Sequence, residues 1–276
     1  MKKLNNPFVV YGYKGAEYFC DRVSETEKIV KGLSNERNIT LIAPRRIGKT
    51  GLIHHVFANM RETQPDVCCI YFDILSTKTL EQFVPNVYFI FAGSKQHMMS
   101  DMFLSPERPL YQGAQIVNIT EINERVYYNF ANDRFMKRGQ QLPESVFHYI
   151  YKKIDGQTWY VQAILNRIYS NQPELITDID VDMAIQELID EQEVAFENYY
   201  QSLTTNQAAL LLAIAKEGNV KSPMAQAFIS RYRLPALSSI KSALESLLDN
   251  QFIYQYNGGY IVYDRFFGMW LRERIE

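Results

Sequence analysis

Leu41-Ile42-Ala43-Pro44-Arg45-Arg46-Ile47-Gly48-Lys49-Thr50 is the stretch on which the reading of the chain turns. It follows the pattern G-x-x-x-x-G-K-[ST], with Ala43 in the place of the first glycine. Asn38 to Ile42 (NITLI) is a short apolar, β-branched run, as a buried strand should be. After Thr50, the residues Leu52, Val56, Phe57 and Met60 fall on one helical face. Strand, loop and helix in this order make a phosphate-binding loop. Backbone N–H groups at the helix start point at an anion, and the helix dipole favours its charge. Gly48 allows the backbone to approach a phosphate closely. Lys49 supplies a compact positive charge to terminal phosphates, and the Thr50 hydroxyl suits a magnesium ion. The candidate nucleotide contacts are therefore Ala43, Pro44, Arg45, Arg46, Ile47, Gly48, Lys49, Thr50 and Gly51. Lys49 is the first catalytic candidate and Thr50 the metal candidate. The expected cofactors are ATP and Mg2+, with GTP an open alternative. Ala43 fits a tight turn only at negative φ, because a Cβ penalises the left-handed region.

Composition sets the outer bounds. The chain has 276 residues, 47% hydrophobic and 22% charged, an ordinary globular composition with room for about two domains. No apolar run approaches the roughly 18 residues of a membrane-spanning helix. Met1-Lys2-Lys3-Leu4-Asn5-Asn6-Pro7 lacks the apolar region of a signal peptide. The three cysteines include the adjacent pair Cys68 and Cys69 and form no disulfide or metal spacing, so the expected compartment is the reducing cytoplasm. A net charge of −2 gives no global attraction to nucleic acid or an anionic membrane. His54 and His55 are neighbours on a helix and point different ways, which suits structural roles better than metal ligation.

Along the chain, Asn6 to Arg22 reads as a folded, aromatic-rich lead-in loop. Ser24-Glu25-Thr26-Glu27 reads as a capping box opening a helix to about Leu33. After the loop helix, which ends near Thr63, Val67 to Phe72 (VCCIYF) reads as a second buried strand ending at Asp73. Thr77 to Val84 starts like a helix, Asn86 to Ala92 reads as a third strand, Gln96 to Phe103 as a short helix, and Val117 to Ile122 as a further strand. From about Asn123 the spacing is helical: Glu121 to Arg138, Glu144 to Tyr151 and Gln157 to Ser170. Asp178 to Asn198 holds eight acids and no Lys or Arg, and reads as one helix with a solvated face. Thr205 to Lys216, Ser222 to Tyr232 and Leu234 to Asn250 are helices. Phe252 to Tyr256 and Tyr260 to Tyr263 alternate around Asn257-Gly258-Gly259, a hairpin signal. Three helices and a hairpin make a winged helix-turn-helix.

These pieces together resemble the archaeal-type and bacterial P-loop ATPases of the AAA-like, STAND-related group. Phe19-Cys20-Asp21-Arg22 with Glu25 is similar to that group's entry motif F-x-x-R-x-x-E. Pro44-Arg45-Arg46-Ile47-Gly48-Lys49-Thr50 is similar to its form of the phosphate loop. Phe91-Ala92-Gly93-Ser94 resembles the end of its fourth core strand, and the C-terminal winged helix is the last shared part. The resemblance implies an α/β fold: a parallel-sheet ATPase core over 1–122, a helical lid over 123–200 and a winged helix over 201–276. It implies that Arg22 lies near the nucleotide and that Ser94 senses the γ-phosphate as a second catalytic candidate. Gly156-Gln157-Thr158-Trp159-Tyr160 stands where the group has a lid motif G-x-P-x-Y facing the nucleotide, with Thr158 in place of the proline.

The chain departs from that pattern in the middle. The group carries a Walker B strand, an apolar run ending in Asp and usually Glu, which orients the magnesium shell and polarises the attacking water. No such run lies between Asp73 and Asn86. Residues 74–85 are about the minimum for one parallel crossover. The parent protein is therefore expected to carry an additional segment between Phe83 and Asn86, near Val84-Pro85, that holds the Walker B strand and supports hydrolysis; true deletion of that segment is the alternative, with far slower turnover. Three readings follow: an ATP-dependent switch or motor, a nucleotide-binding regulator that does not turn over, and a DNA-binding module with a vestigial loop. The winged helix is expected to dock onto protein or DNA, without a membrane partner. Arg45, Arg46 and Arg108 are further candidates for stabilising charge.

Overall fold

The computed structural model describes residues 4–71, 88–93, 96–108, 110–111 and 113–274. They form two compact units, Met1–Asp180 and Val181–Glu276. In the first, β1 (Ile39–Ile42) is buried along its whole length. It pairs in parallel with β2 (Ile90–Gly93) on one side and β3 (Gln115–Asn118) on the other. Leu41 stands opposite both Ala92 and Val117. A central parallel strand is covered on both faces, which explains the unbroken apolar run Ile39-Thr40-Leu41-Ile42. Two helices, α1 (Val23–Ser34) and α2 (Lys49–Thr63), cover the face of Ile39 and Leu41, and the helix that follows β2 covers the face of Ile42. Ile29 and Leu33 of α1, and Leu52, Ile53, Val56 and Met60 of α2, join Ile39, Leu41 and Val117 in one core. α3 (Gln96–Leu104) follows β2, with Met99 and Phe103 packed against Ile42.

Three sequence expectations change here. First, Val67 to Tyr71 is not a buried strand. It is irregular, with Val67 39%, Ile70 61% and Tyr71 45% exposed. It lies along α2: the Arg61 guanidinium donates to the Cys69 carbonyl, and the Tyr71 ring sits 5.0 Å from that of His54. A strand needs a neighbour to pair with, and among the described residues none pairs with the outer edge of β2. Second, the capping box does not form. α1 starts at Val23 with Arg22 as its N-cap in the left-handed region, and no side chain caps it. The Ser24 hydroxyl donates to Glu25 instead, and Glu25 also pairs with the Arg22 guanidinium at 2.8 Å. Third, the acidic helix is two helices, α7 (Asp178–Asp190) and α8 (Glu193–Gln201), broken at Glu191-Gln192. The expected helix at Thr77 to Val84, the first two residues of the strand expected at Asn86 to Ala92, and the junction at Val84-Pro85 lie outside the described residues; the rest of that strand is β2, which starts at Ile90.

The rest of the first unit is helical: α4 (Glu124–Met136), α5 (Glu144–Lys153) and α6 (Thr158–Asn171). The lead-in loop is stapled to α6, where Asn6 Nδ2 donates to the Asn166 carbonyl at 2.9 Å and Asn166 Nδ2 donates to the Phe8 carbonyl at 2.6 Å. α5 turns into α6 through Gly156 at φ 63°, where an added Cβ would stand 2.4 Å from Tyr151 Cζ. That close approach fixes where α6 begins.

The second unit contains α9 (Thr205–Glu217), α10 (Gln226–Tyr232) and α11 (Leu237–Asp249), then the hairpin β4 (Ile253–Tyr256) and β5 (Gly259–Val262), and α12 (Arg265–Glu273). α9 opens with a true capping box between Thr204 and Gln207. Asn257 and Gly258 have φ 49° and 75°, the positive pair that a tight two-residue hairpin turn requires. α10 starts later than its sequence pattern suggests, because Ser222-Pro223-Met224 forms a turn. No helix of the described residues is long and apolar enough to cross a membrane.

Candidate nucleotide site

β1 runs into the loop at Ala43, which is fully buried and does not have the positive φ that would strain it. Ile47 is also fully buried in the core beneath the loop. Between these anchors Arg45 is exposed, and Arg46 takes a left-handed conformation at φ 64°. Gly48 follows at φ 95° as the N-cap of α2, with no side-chain cap. Its glycine is demanded by backbone conformation rather than space: a Cβ there would meet only the Thr158 methyl, at 3.9 Å. The first main-chain bond of α2 runs from Leu52 N–H to the Gly48 carbonyl. The N–H groups ahead of it therefore have no partner within the helix, the arrangement that binds anions.

Lys49 Nζ donates to the carbonyls of Ala43 at 2.9 Å and Pro44 at 2.6 Å. The ammonium thus lies inside the curl of the loop. Burial, with Arg45 nearby, lowers its pKa to about 8. Arg22 is 4% exposed and reaches the same loop from α1, donating through Nη2 to the Ile47 carbonyl at 3.2 Å and through Nη1 to Glu25. Burial pushes the Glu25 carboxyl up, but hydrogen bonds from Arg22 and Ser24 leave it below its ordinary value. The fold therefore brings Arg22 to the loop across 25 residues of sequence.

Thr50 is exposed in the first turn of α2, so its hydroxyl could serve a magnesium ion whose remaining ligands are phosphates and water. Among the described residues no group of three His, Cys, Asp or Glu could hold a metal by itself. Gly51 lies under Phe19, whose Cε2 would stand 3.4 Å from an added Cβ. Ser94 lies outside the described residues, as does Asp73. Arg108 is engaged by Asp101 in an ion pair. His55 accepts structural work: its Nδ1 is 2.9 Å from the Tyr13 hydroxyl and its ring stacks on Phe19.

Sequence reasoning missed how Arg46 is held. Its guanidinium lies 4.2 Å from the ring centre of Trp159 and 4.7 Å from that of Tyr160. Its carbonyl accepts from Trp159 N–H at 3.0 Å. The stretch containing both aromatics stood out as a lid motif, but nothing in spacing pairs it with an arginine more than 100 residues earlier.

A family model and one solved structure agree with this architecture. A family model described as a probable winged helix domain matches residues 194–273. A Walker-type ATPase of Pyrococcus abyssi is similar in structure, with a TM-score of 0.68 at 15% identity over 96% of this chain and 99% of that one. The Holliday junction branch migration motor RuvB of Thermotoga maritima gives a TM-score of 0.44 at 14% identity over 90% of this chain and 94% of that one. No curated protein matches the sequence. The fold is that of a P-loop ATPase core with a C-terminal winged helix.

Proposed function

We propose that the loop Ala43–Gly51 binds ATP with Mg2+, and that the chain is a nucleotide-dependent switch of the AAA-like, STAND-related kind. The observation that carries this reading is the loop itself: Lys49 curled beneath it, unpartnered N–H groups of α2 at its mouth, and Arg22 fastening Ile47 from behind. Thr50 would complete the magnesium shell, and the cation would neutralise charge between terminal phosphates. Calorimetric titration with ATP, with and without Mg2+, tests the reading. Absence of saturable binding would overturn it, and GTP binding more tightly than ATP would change the nucleotide.

Binding should depend on pH through Lys49. Its free-state pKa of about 8 must rise when a polyphosphate sits beside the ammonium. The bound state therefore holds the proton more tightly than the free state. Affinity is expected to fall as pH rises from 7 through 9, and binding near pH 8 takes up protons. Calorimetry in buffers of different ionisation enthalpy measures that uptake. Release of protons, or affinity that is flat across this range, contradicts it.

The winged helix is proposed to dock onto protein in preference to DNA. From Tyr200 to Glu276 there are eight Lys/Arg against six Asp/Glu, a net of +2. The exposed side of α11 presents Leu237, Ser238, Lys241, Glu245 and Asp249, a single cation against two acids. Tight DNA binding draws on several phosphate contacts and on Arg or Lys at base edges. The whole protein is expected to bind duplex DNA weakly and without sequence preference at physiological salt. Nanomolar, sequence-specific binding in a fluorescence anisotropy titration would reverse the preference.

A further inference from the structure

Arg46 is in a left-handed backbone conformation, φ 64°, which a residue with a Cβ keeps only when its surroundings impose it. Contacts from the start of α6 hold it there. Trp159 N–H donates to the Arg46 carbonyl at 3.0 Å. The guanidinium is placed over two aromatic faces, Trp159 at 4.2 Å and Tyr160 at 4.7 Å, both within the range of cation–π attraction. Tyr160 is fully buried and Trp159 half-buried, so neither ring is free to follow a wandering side chain. The start of α6 is itself fixed: the Tyr127 hydroxyl donates to the Thr158 carbonyl at 3.2 Å, and Gly156 turns tightly against Tyr151. A rigid helix start therefore grips the middle of the phosphate loop through one arginine.

We propose that Trp159 and Tyr160 are positioning residues of the nucleotide site: they hold Arg46, and through it the loop, in the shape that receives phosphate, and they couple filling of the site to the start of α6. The inference rests on the nucleotide reading above. Arg46 is the one cation of the loop that is withheld on aromatic faces, while Lys49 is curled within the loop and Arg45 is exposed. Phosphate charge arriving at the loop pulls on the guanidinium, and the aromatic faces resist. The environment of the Trp159 indole must then change on binding, which a purely structural contact would not require. Lys cannot substitute fully for Arg here, because only the planar guanidinium stacks.

The test uses the full chain, titrated with ATP and Mg2+ by calorimetry and by tryptophan emission, with melting temperatures followed in parallel. The chain has two tryptophans, so Trp159→Phe leaves only Trp270. Trp159→Ala and Arg46→Ala are each expected to weaken ATP binding about tenfold, and the double variant no more than Arg46→Ala alone, since the arginine variant already removes the Trp159 contact. Trp159→Phe should keep affinity within about threefold of the parent, because a ring face remains. Emission of the parent should change on saturation, and that of Trp159→Phe should not. Losses that multiply in the double variant, or an emission change that persists in Trp159→Phe, overturn the inference. The emission comparison keeps it falsifiable if an alanine variant fails to fold. A parent that binds no nucleotide removes the function and this inference together, whereas a parent that binds ATP with multiplicative losses removes this inference alone.

Discussion

Lys49→Ala is expected to weaken ATP binding by about 100-fold or more, with little loss of stability. Lys49 donates two hydrogen bonds inside the loop, to the Ala43 and Pro44 carbonyls. In the free protein its charge is costly to hold there, which is why burial lowers its pKa to about 8. Removing it takes a donor from the Ala43 and Pro44 carbonyls but also removes the cost of holding a charge inside the loop, and the two effects offset. With a nucleotide present, the same ammonium faces several negative charges. A hydrogen bond to a charged group contributes about 1.5–3 kcal/mol, and a loss of roughly 2.7 kcal/mol is a factor of about 100. Thr50→Ala should act differently: it should reduce the gain in affinity given by Mg2+ and leave binding of metal-free ATP nearly intact. Isothermal titration of both variants, with and without Mg2+, separates the two roles. Unchanged ATP affinity in Lys49→Ala would remove the loop from the nucleotide site.

The parts of this site that were legible in sequence are those whose physics is local. The loop is contiguous, and its flanks carry their own periods, a buried strand ending at Ile42 and a helix starting at Lys49. The hairpin at Asn257-Gly258 is legible for the same reason, since its φ values are fixed by residue type. Arg22 was placed near the loop only through resemblance, because its contact with Ile47 depends on how α1 packs. The failures have a common cause. Val67 to Tyr71 has the composition of a buried strand, yet pairing is a property of neighbours, and none is described at the outer edge of β2. Ser24 to Glu27 has the spacing of a capping box, yet the helix already starts at Val23, one residue ahead of Ser24, and the Ser24 hydroxyl donates to Glu25. The grip of Trp159 and Tyr160 on Arg46 left no sequence signal, because it is made by tertiary packing between distant segments.

Turnover is expected to be far slower than binding would suggest. The chain of 32.2 kDa should bind ATP and yet hydrolyse it roughly 10²–10⁴-fold more slowly than an ordinary ATPase, the usual contribution of a positioned general base. The metal and the attacking water both call for a carboxylate at the end of a strand beside the phosphate loop. The described strands next to β1 end at Gly93 and Asn118, neither of them acidic. The apolar run expected to extend the sheet, Val67 to Tyr71, lies outside it and is largely exposed. What remains for a further strand is the stretch 72–87, which holds the acids Asp73 and Glu81 and no apolar run ending in Asp-Glu. A longer parent carrying a Walker B segment between Phe83 and Asn86 would behave differently. Intact mass and phosphate release, measured on one preparation, separate the cases. A mass of 32.2 kDa with turnover near one per second, abolished by Lys49→Ala, would show that the chain finds its water-activating group elsewhere. A larger mass with the same turnover would place that group in the added segment, and slow turnover at the smaller mass is the expected result.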